Sequence, residues 1–484
     1  MVSLNLVLPF LLTLVSTTLG ADSNATEVCS MLKEKLTSAS TVRFPDDPGY
    51  ERDIAHFAAS AQQNSTCSVE PGTSQDVATI IQLVGSSRVP FAVKGGGHNL
   101  NPGFSSTRGV QITMTNFNRV FYQQNTSTVD IGSGLTWDEV YSQLEPYNVT
   151  VVGARATGVG VAGLLLGGGY SYKTNQYGLA ADNIVAMEVV LPDSQVKTVT
   201  ASTDKDLFFA LRGGGNNFGI VTKFTLKTHP QTAVWGGSII YPSTEFDAVS
   251  AAVLNYTSNN VDPKSAIQCT FATLPGQGII MVNLFYDAPA SPASGLFDAF
   301  LTIPSVSSDI AVRSYLTLVE SAGTDITANM RGLYNTVSHT AITPALMRVL
   351  LNETLFYGSQ LQSQSLFLNG YALEPFLPQA YKQGDTDTAY PPKRNENIHP
   401  MNVYYAWTDA QSDSLMLETS HTTVATLDQF LASSGIRASA KYPNYALYDT
   451  KVEDLYGDNL ARLRSIKKRV DPSDVMGLTG GFKL

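Results

Sequence analysis

Gly158-Val159-Gly160-Val161-Ala162-Gly163-Leu164-Leu165-Leu166-Gly167-Gly168-Gly169 decides between two ways of building a nucleotide-binding protein. Its first six residues match GxGxxG and follow a strand-like run, Val149 to Val152, which is where a dinucleotide-binding βαβ unit would begin. That unit needs its third glycine inside a helix of about ten residues or more. Only three leucines follow before a glycine triplet interrupts the helix, and glycine is a poor helix former. A Rossmann fold is therefore disfavoured. Two readings remain: turns that need glycine only for tight packing, and a loop whose backbone amides approach a pyrophosphate directly.

Upstream, Val89 to Val93 reads as a strand and runs into Lys94-Gly95-Gly96-Gly97-His98-Asn99. A histidine in a turn is ordinarily a surface or hydrogen-bonding residue. Here three consecutive positions lack side chains, so successive N–H groups can form an anion-binding nest while the imidazole projects beyond it. A neutral, nucleophilic imidazole held beside a flavin ring can become covalently joined to it.

Five stretches occur in order: Val93 to Asn99, Gly158 to Tyr170, Tyr177-Gly178-Leu179-Ala180-Ala181-Asp182-Asn183, Leu211 to Val221, and Tyr442-Pro443-Asn444-Tyr445. Together they resemble the berberine bridge enzyme-like branch of the vanillyl-alcohol oxidase flavoprotein superfamily, from about residue 50 to the end. The resemblance implies an α+β protein: a two-part FAD-binding domain of that type with an α+β substrate domain. It makes His98 the residue bonded to the 8α position of FAD, with Lys94, Gly95, Gly96, Gly97 and Asn99 around the diphosphate. Further cofactor contacts are implied at Thr157, Gly158, Gly160, Gly163, Gly168, Tyr170, Gly178, Asp182, Asn183, Gly219, Ile220, Val221, Asn444 and Tyr445.

Many such proteins carry a second link from a cysteine just before the Gly-Val-Gly segment. Ala156 stands there, so a single covalent link is expected. At the position where such enzymes control oxygen access this chain has Val159, which favours an oxidase returning electrons to O2 over a dehydrogenase; plain packing is the alternative. Tyr442 is the candidate base. Taking a hydroxyl proton as the hydride leaves avoids an unstable carbocation, but a free tyrosine has a pKa near ~10 and needs a neighbouring cation or hydrogen-bond donor. The sequence does not identify that helper, and Tyr442 packed against the isoalloxazine is the alternative.

The remaining features bound the setting. At 484 residues the chain is too long for one core, and two main units are expected. They are an FAD-binding unit over 70–232 and a substrate unit over 233–440, with an N-terminal segment 21–69 and a C-terminal segment 441–484 that returns to the first unit. Helices are expected over Val77 to Val84, Ser412 to Phe430 and Leu460 to Val470, and strands over Val110 to Met114, Thr128 to Ser133, Gly278 to Phe285 and Asn402 to Trp407. Thr136 to Glu139 has capping-box spacing.

A net charge of -10 and the lack of a basic stripe argue against nucleic-acid binding. The apolar run Leu6 to Val15, followed by small residues, reads as a secretion leader over 1–20 and is too short for a comfortable membrane span. Six Asn-X-Ser/Thr sequons, at Asn24, Asn64, Asn125, Asn148, Asn255 and Asn352, agree with a secreted glycoprotein. Of three cysteines, Cys29 and Cys67 are the natural disulfide pair and Cys269 the odd thiol. The six histidines are scattered and no metal site is supported. The expectation is a secreted oxidase that takes a hydride from an alcohol or amine carbon of a small organic molecule, in the oxidation or oxidative cyclisation of a secondary metabolite, with O2 reduced to H2O2. A carbohydrate oxidase acting on an anomeric hydroxyl and a non-catalytic flavin-binding protein are the competing readings.

Overall fold

The computed structural model describes residues 10–384 and 386–484. The leader reading falls in part on residues 1–9, outside the described residues. The first described element is a helix, Phe10–Lys35. No helix among the described residues is long and apolar enough to cross a membrane.

That helix is stapled by a Cys29–Cys67 disulfide to the second strand of a four-stranded sheet. The strands lie in the order Thr41–Arg43, Cys67–Glu70, Val110–Thr113 and Phe91–Lys94, the last three mutually parallel. Parallel strands need a crossover, and helix Ser74–Ser86 carries the chain from Cys67–Glu70 to Phe91–Lys94, leaving between them the place filled by Val110–Thr113, with the Thr73 hydroxyl accepting from Asp76 N at the helix start. Val28 and Leu32 of the first helix pack on Val77, Ile80 and Ile81 of this one. The disulfide joins residues 38 apart, so removing it frees a long loop in the unfolded chain. Replacing both cysteines by serine should lower stability by about 3–4 kcal/mol, read as a drop in the urea midpoint.

A second, antiparallel sheet has the order Val120–Gln123, Thr128–Gly132, Ile220–Lys227, Ile184–Val190 and Val196–Val199. Helices Trp137–Leu144 and Lys205–Leu211 share its core with the C-terminal helix Leu460–Val470, whose Leu463 and Ile466 bury among Phe208 and Phe209. The capping box forms, Glu139 accepting from Thr136 N at 2.8 Å. The expected strand Val149 to Val152 shortens to Val149–Thr150, paired only with His229–Pro230. Val151 and Val152 sink into the core instead.

The third sheet is antiparallel and has eight strands. Its main path runs Ser307–Ser308, Val234–Pro242, Gln277–Tyr286, Ser265–Leu274, Leu366–Leu373, His399–Trp407 and Arg331–His339, and Ala311–Arg313 adds to the edge of Val234–Pro242. Side chains alternate across a strand, and here both faces are used. Ile267, Cys269 and Phe271 bury against helices Phe246–Asn259, Pro344–Leu361 and Asp413–Ser433. Gln268, Thr270 and Ala272 face the opposite way, into a cavity.

Candidate functional site

The cavity measures about 660 Å³ and lies between the uncovered face of the eight-stranded sheet and the glycine loops of the first two sheets. Strand Phe91–Lys94 delivers the first loop. Val93 and Gly95 line the cavity, so strand alternation turns Lys94 the other way. Its Nζ donates to Arg52 O at 3.1 Å and Ala55 O at 3.0 Å, and burial lowers its pKa to about 8. Lys94, expected among the cofactor contacts, instead anchors the loop from behind.

The two glycine loops pack backbone to backbone. A Cβ on Gly96 would lie 2.6 Å from Gly160 N, and one on Gly160 only 2.5 Å from Gly96 N. Helix Val161–Leu166 is six residues long, so no Rossmann helix follows. A Cβ on Gly163 would meet nothing within 4 Å, yet the residue lines the cavity; the space in front of it is open to a ligand.

His98 stacks on Phe57 with ring centroids 4.3 Å apart and an interplanar angle of 19°. Its Nε2 is buried without a hydrogen-bond partner, and burial pushes the imidazole down to about 4. At neutral pH the ring is therefore uncharged with a lone pair available. His229 and His399 are likewise held to about 4 by burial, and His339 well below its usual value. The unfolded chain takes up protons near pH 6.5 that the folded one refuses, so stability is full above that pH and falls as pH drops toward 4. Each histidine contributes up to about 1.4 kcal/mol per pH unit across that window. The urea midpoint should be clearly lower at pH 5 than at pH 7.5; equal midpoints would contradict the buried, neutral assignment.

Gly95, Gly96, Gly97, Asn99, Val159, Gly160, Tyr170, Gly219, Ile220 and Val221 reach the same cavity, as do Tyr442, Asn444 and Tyr445. Seven other expected contacts stand apart from it. With Lys94 already placed, the remaining six are scaffold. Gly158 N donates to Asp138 Oδ1 at 2.9 Å and the Thr157 hydroxyl to Asp325 at 3.3 Å. A Cβ on Gly168 would press on the Tyr390 ring at 2.8 Å, and one on Gly178 on Asp182 Oδ2 at 2.7 Å. Asp182 is fully buried in an ion pair with Arg394, 2.6 Å, and accepts from Leu179 N. Asn183 donates to Leu179 O and Tyr177 O.

On the far wall, Asn444 Nδ2 donates to the Tyr442 hydroxyl oxygen at 2.9 Å and to Leu164 O at 3.2 Å. Gly167 permits this: its Cβ would fall 2.1 Å from Asn444 Oδ1. Burial pushes the Tyr442 phenol up to about 12, against the pull of Asn444 and Arg155. Behind it lies a buried network that sequence reading missed. Arg155 bonds Glu374 Oε2 at 2.6 Å and the Tyr445 hydroxyl at 3.0 Å. Tyr445 and Gln268 both donate to Glu374 Oε1, at 2.9 and 3.0 Å. Burial alone would lower the Arg155 pKa, but Glu374 outweighs it and the guanidinium stays charged. Tyr445 was already carried by its motif; of Arg155, Glu374 and Gln268, only Arg155 had a signal in the sequence, its proximity to Ala156 and the glycine segment.

The family described as FAD binding domain matches residues 65–200, and the one described as berberine and berberine-like matches residues 441–479. An FAD-dependent monooxygenase of Penicillium roqueforti is 32% identical over 461 residues, 89% of this chain and 88% of that protein. The chain belongs to the berberine bridge enzyme-like family of FAD-dependent oxidoreductases. Two solved structures show the same fold. The 6-hydroxy-D-nicotine oxidase of Arthrobacter nicotinovorans superposes with a TM-score of 0.78 at 21% identity, covering 92% of this chain and 97% of that one. Berberine bridge enzyme from Eschscholzia californica gives 0.76 at 17% identity, covering 93% and 97%.

The residues of this berberine bridge enzyme-like chain fit FAD. The room in front of Gly163 and the side-chain-free loops let a cofactor come close. Among the described residues Arg155 is the one lining side chain with a formal charge and it is taken by Glu374, which leaves backbone N–H groups to meet a diphosphate. The orphaned His98 Nε2 gains a partner when the space beside it is filled.

Proposed function

We propose that this FAD-linked oxidoreductase is a secreted oxidase whose flavin is held by one covalent bond from His98 and whose substrate is an alcohol or amine carbon of a small organic molecule. The carrying observation is a half-buried, neutral imidazole whose Nε2 is out of solvent and unpaired, in the same cavity as the Tyr442 hydroxyl. FAD, when bound, supplies the two-electron chemistry, taking a hydride equivalent and passing electrons to O2.

The chain's own residues bind, orient and handle the proton. Backbone amides of Gly95 to Gly97 and the Gly160 loop hold the anionic part of the cofactor. Tyr442 receives the substrate's hydroxyl proton, with Asn444 bonded to its oxygen and Arg155 nearby to favour the phenolate. Its resting value near 12 keeps that form scarce at neutral pH, so kcat/KM should climb about tenfold per pH unit between pH 6 and 9. Tyr442→Phe should flatten that profile. A flat wild-type profile would remove Tyr442 as the base. Val159 lines the cavity between the two loops and supports the oxidase reading.

Ala156 leaves no thiol for a second link, and the free Cys269 is buried in the core of the eight-stranded sheet. Secretion is supported by the Cys29–Cys67 disulfide and by the exposure of all six sequon asparagines. A screen of the purified yellow protein for H2O2 release with alcohols, phenols, amines and sugars tests the oxidase reading; no peroxide with any of them would sink it.

A further inference from the structure

The cavity face of the eight-stranded sheet is sorted into rows by strand register. Ser238 and Gln268 both flank Asn283 across strands, and Gln268 Nε2 leads on to Glu374 at 3.0 Å. This is a polar row. The next row reads Ile240, Met281, Thr270, Ala372 and Asn402, each opposite its neighbour. The row beyond reads Ile279, Ala272, Gly370 and Tyr404. Thr270, Ala372, Ala272 and Gly370 thus form a block of four small residues with larger ones around it. At ordinary strand spacings the block and its margins leave a shallow hollow roughly 7 Å by 10 Å, the size of a fused pair of aromatic rings.

The charges are as informative as the shape. Among the described residues Arg155 is the one lining residue with a formal charge, and Glu374 neutralises it at 2.6 Å. An ammonium or carboxylate placed on this wall would lose its hydration and find no free counter-charge. A sugar ring would bring a hydroxyl on nearly every carbon, and the floor of the hollow offers the Thr270 hydroxyl, with Asn402 and Tyr404 at one edge. Buried polar groups left unpaired cost more than apolar contact returns.

We propose that the substrate is a neutral, flat, mainly apolar molecule of aromatic or conjugated type, lying on Thr270, Ala272, Gly370 and Ala372 with a polar group toward the Gln268 and Glu374 end. This rests on the oxidase reading for its chemistry but not for its binding. Gly370 is the sharpest test position. A Cβ there would sit 3.4 Å from Thr270 Cγ2, an ordinary contact, and its backbone is not left-handed. Gly370→Val therefore suits a strand while filling the hollow, and Gly370→Ala is the mild control.

The test titrates the flavin-loaded protein with 2-naphthol, 2-naphthoate, 1-naphthylmethylamine and cellobiose, following the change in flavin absorbance. The expected result is saturable binding of 2-naphthol, at least tenfold tighter than the two charged naphthalenes, with no response to cellobiose. Gly370→Val should weaken 2-naphthol at least tenfold at unchanged flavin content, and Gly370→Ala much less. Cellobiose or a charged naphthalene binding as well as 2-naphthol, or a Gly370→Val protein that binds 2-naphthol normally, would overturn the assignment. Because absorbance reports binding and not turnover, a protein that binds 2-naphthol but releases no peroxide with any substrate leaves this inference standing and removes the oxidase reading.

Discussion

A His98→Ala variant is expected to release all its flavin on acid denaturation, while the wild-type polypeptide precipitates yellow. The size of the effect follows from the environment of the ring. Burial holds the imidazole at about 4, so at neutral pH nearly every molecule presents an uncharged nitrogen nucleophile. Phe57 fixes the ring plane by stacking at 4.3 Å, and Nε2 has no competing protein partner. Among the described residues no cysteine stands ready to take over the bond. Ala156 carries no nucleophile, and burial pushes the Cys269 thiol up to about 12 on the face of its strand that looks away from the cavity. Flavin that washes off the wild type would end the covalent reading, and flavin retained by the variant would move the link elsewhere.

The second large effect is expected at the Arg155–Glu374 pair. Both side chains are almost wholly out of solvent, 11% and 0% exposed. Truncating Glu374 to alanine strands the guanidinium and removes the acceptor used by Tyr445 and Gln268. A loss of about 3–5 kcal/mol is expected for either single truncation. Replacing both residues by methionine should cost less than the sum of the two, because no uncompensated charge then remains. Urea titration of the singles and the double reads this directly. A single truncation costing under ~1 kcal/mol would mean that the pair is solvated in solution and does not organise the site.

Much of the architecture was legible because it rests on short-range physics. Helix Leu460–Val470 ends where Asp471-Pro472 stops it, as the sequence suggests. Thr136 and Glu139 cap their helix within one turn. The glycine triplet at 167–169 limits the preceding helix to six residues, which is what separates this fold from a Rossmann unit. The Cys29–Cys67 bridge was legible too, as the pair that would staple the segment after the leader to the start of the main domain, with Cys269 far along the chain.

What the sequence determined by itself was the run of local elements, the family and its flavin, and the presence of His98 and Tyr442 in a common plan. Glycine patterns, caps and motif order are set by neighbours along the chain. The tertiary structure decided which motif residues line the cavity and which stand behind it. Lys94 and Asp182 belong to the expected motifs, but strand alternation turns the first away from the cavity and Arg394 claims the second. It also decided the partners of Tyr445 and the character of the substrate wall. Arg155, Gln268, Glu374 and Tyr445 lie on four separate parts of the chain and meet only when the eight-stranded sheet closes over the glycine loops. A charge with no partner nearby in sequence gives no local signal of the one it will find in space. For the same reason the four small residues of the hollow became a site only when register set them side by side.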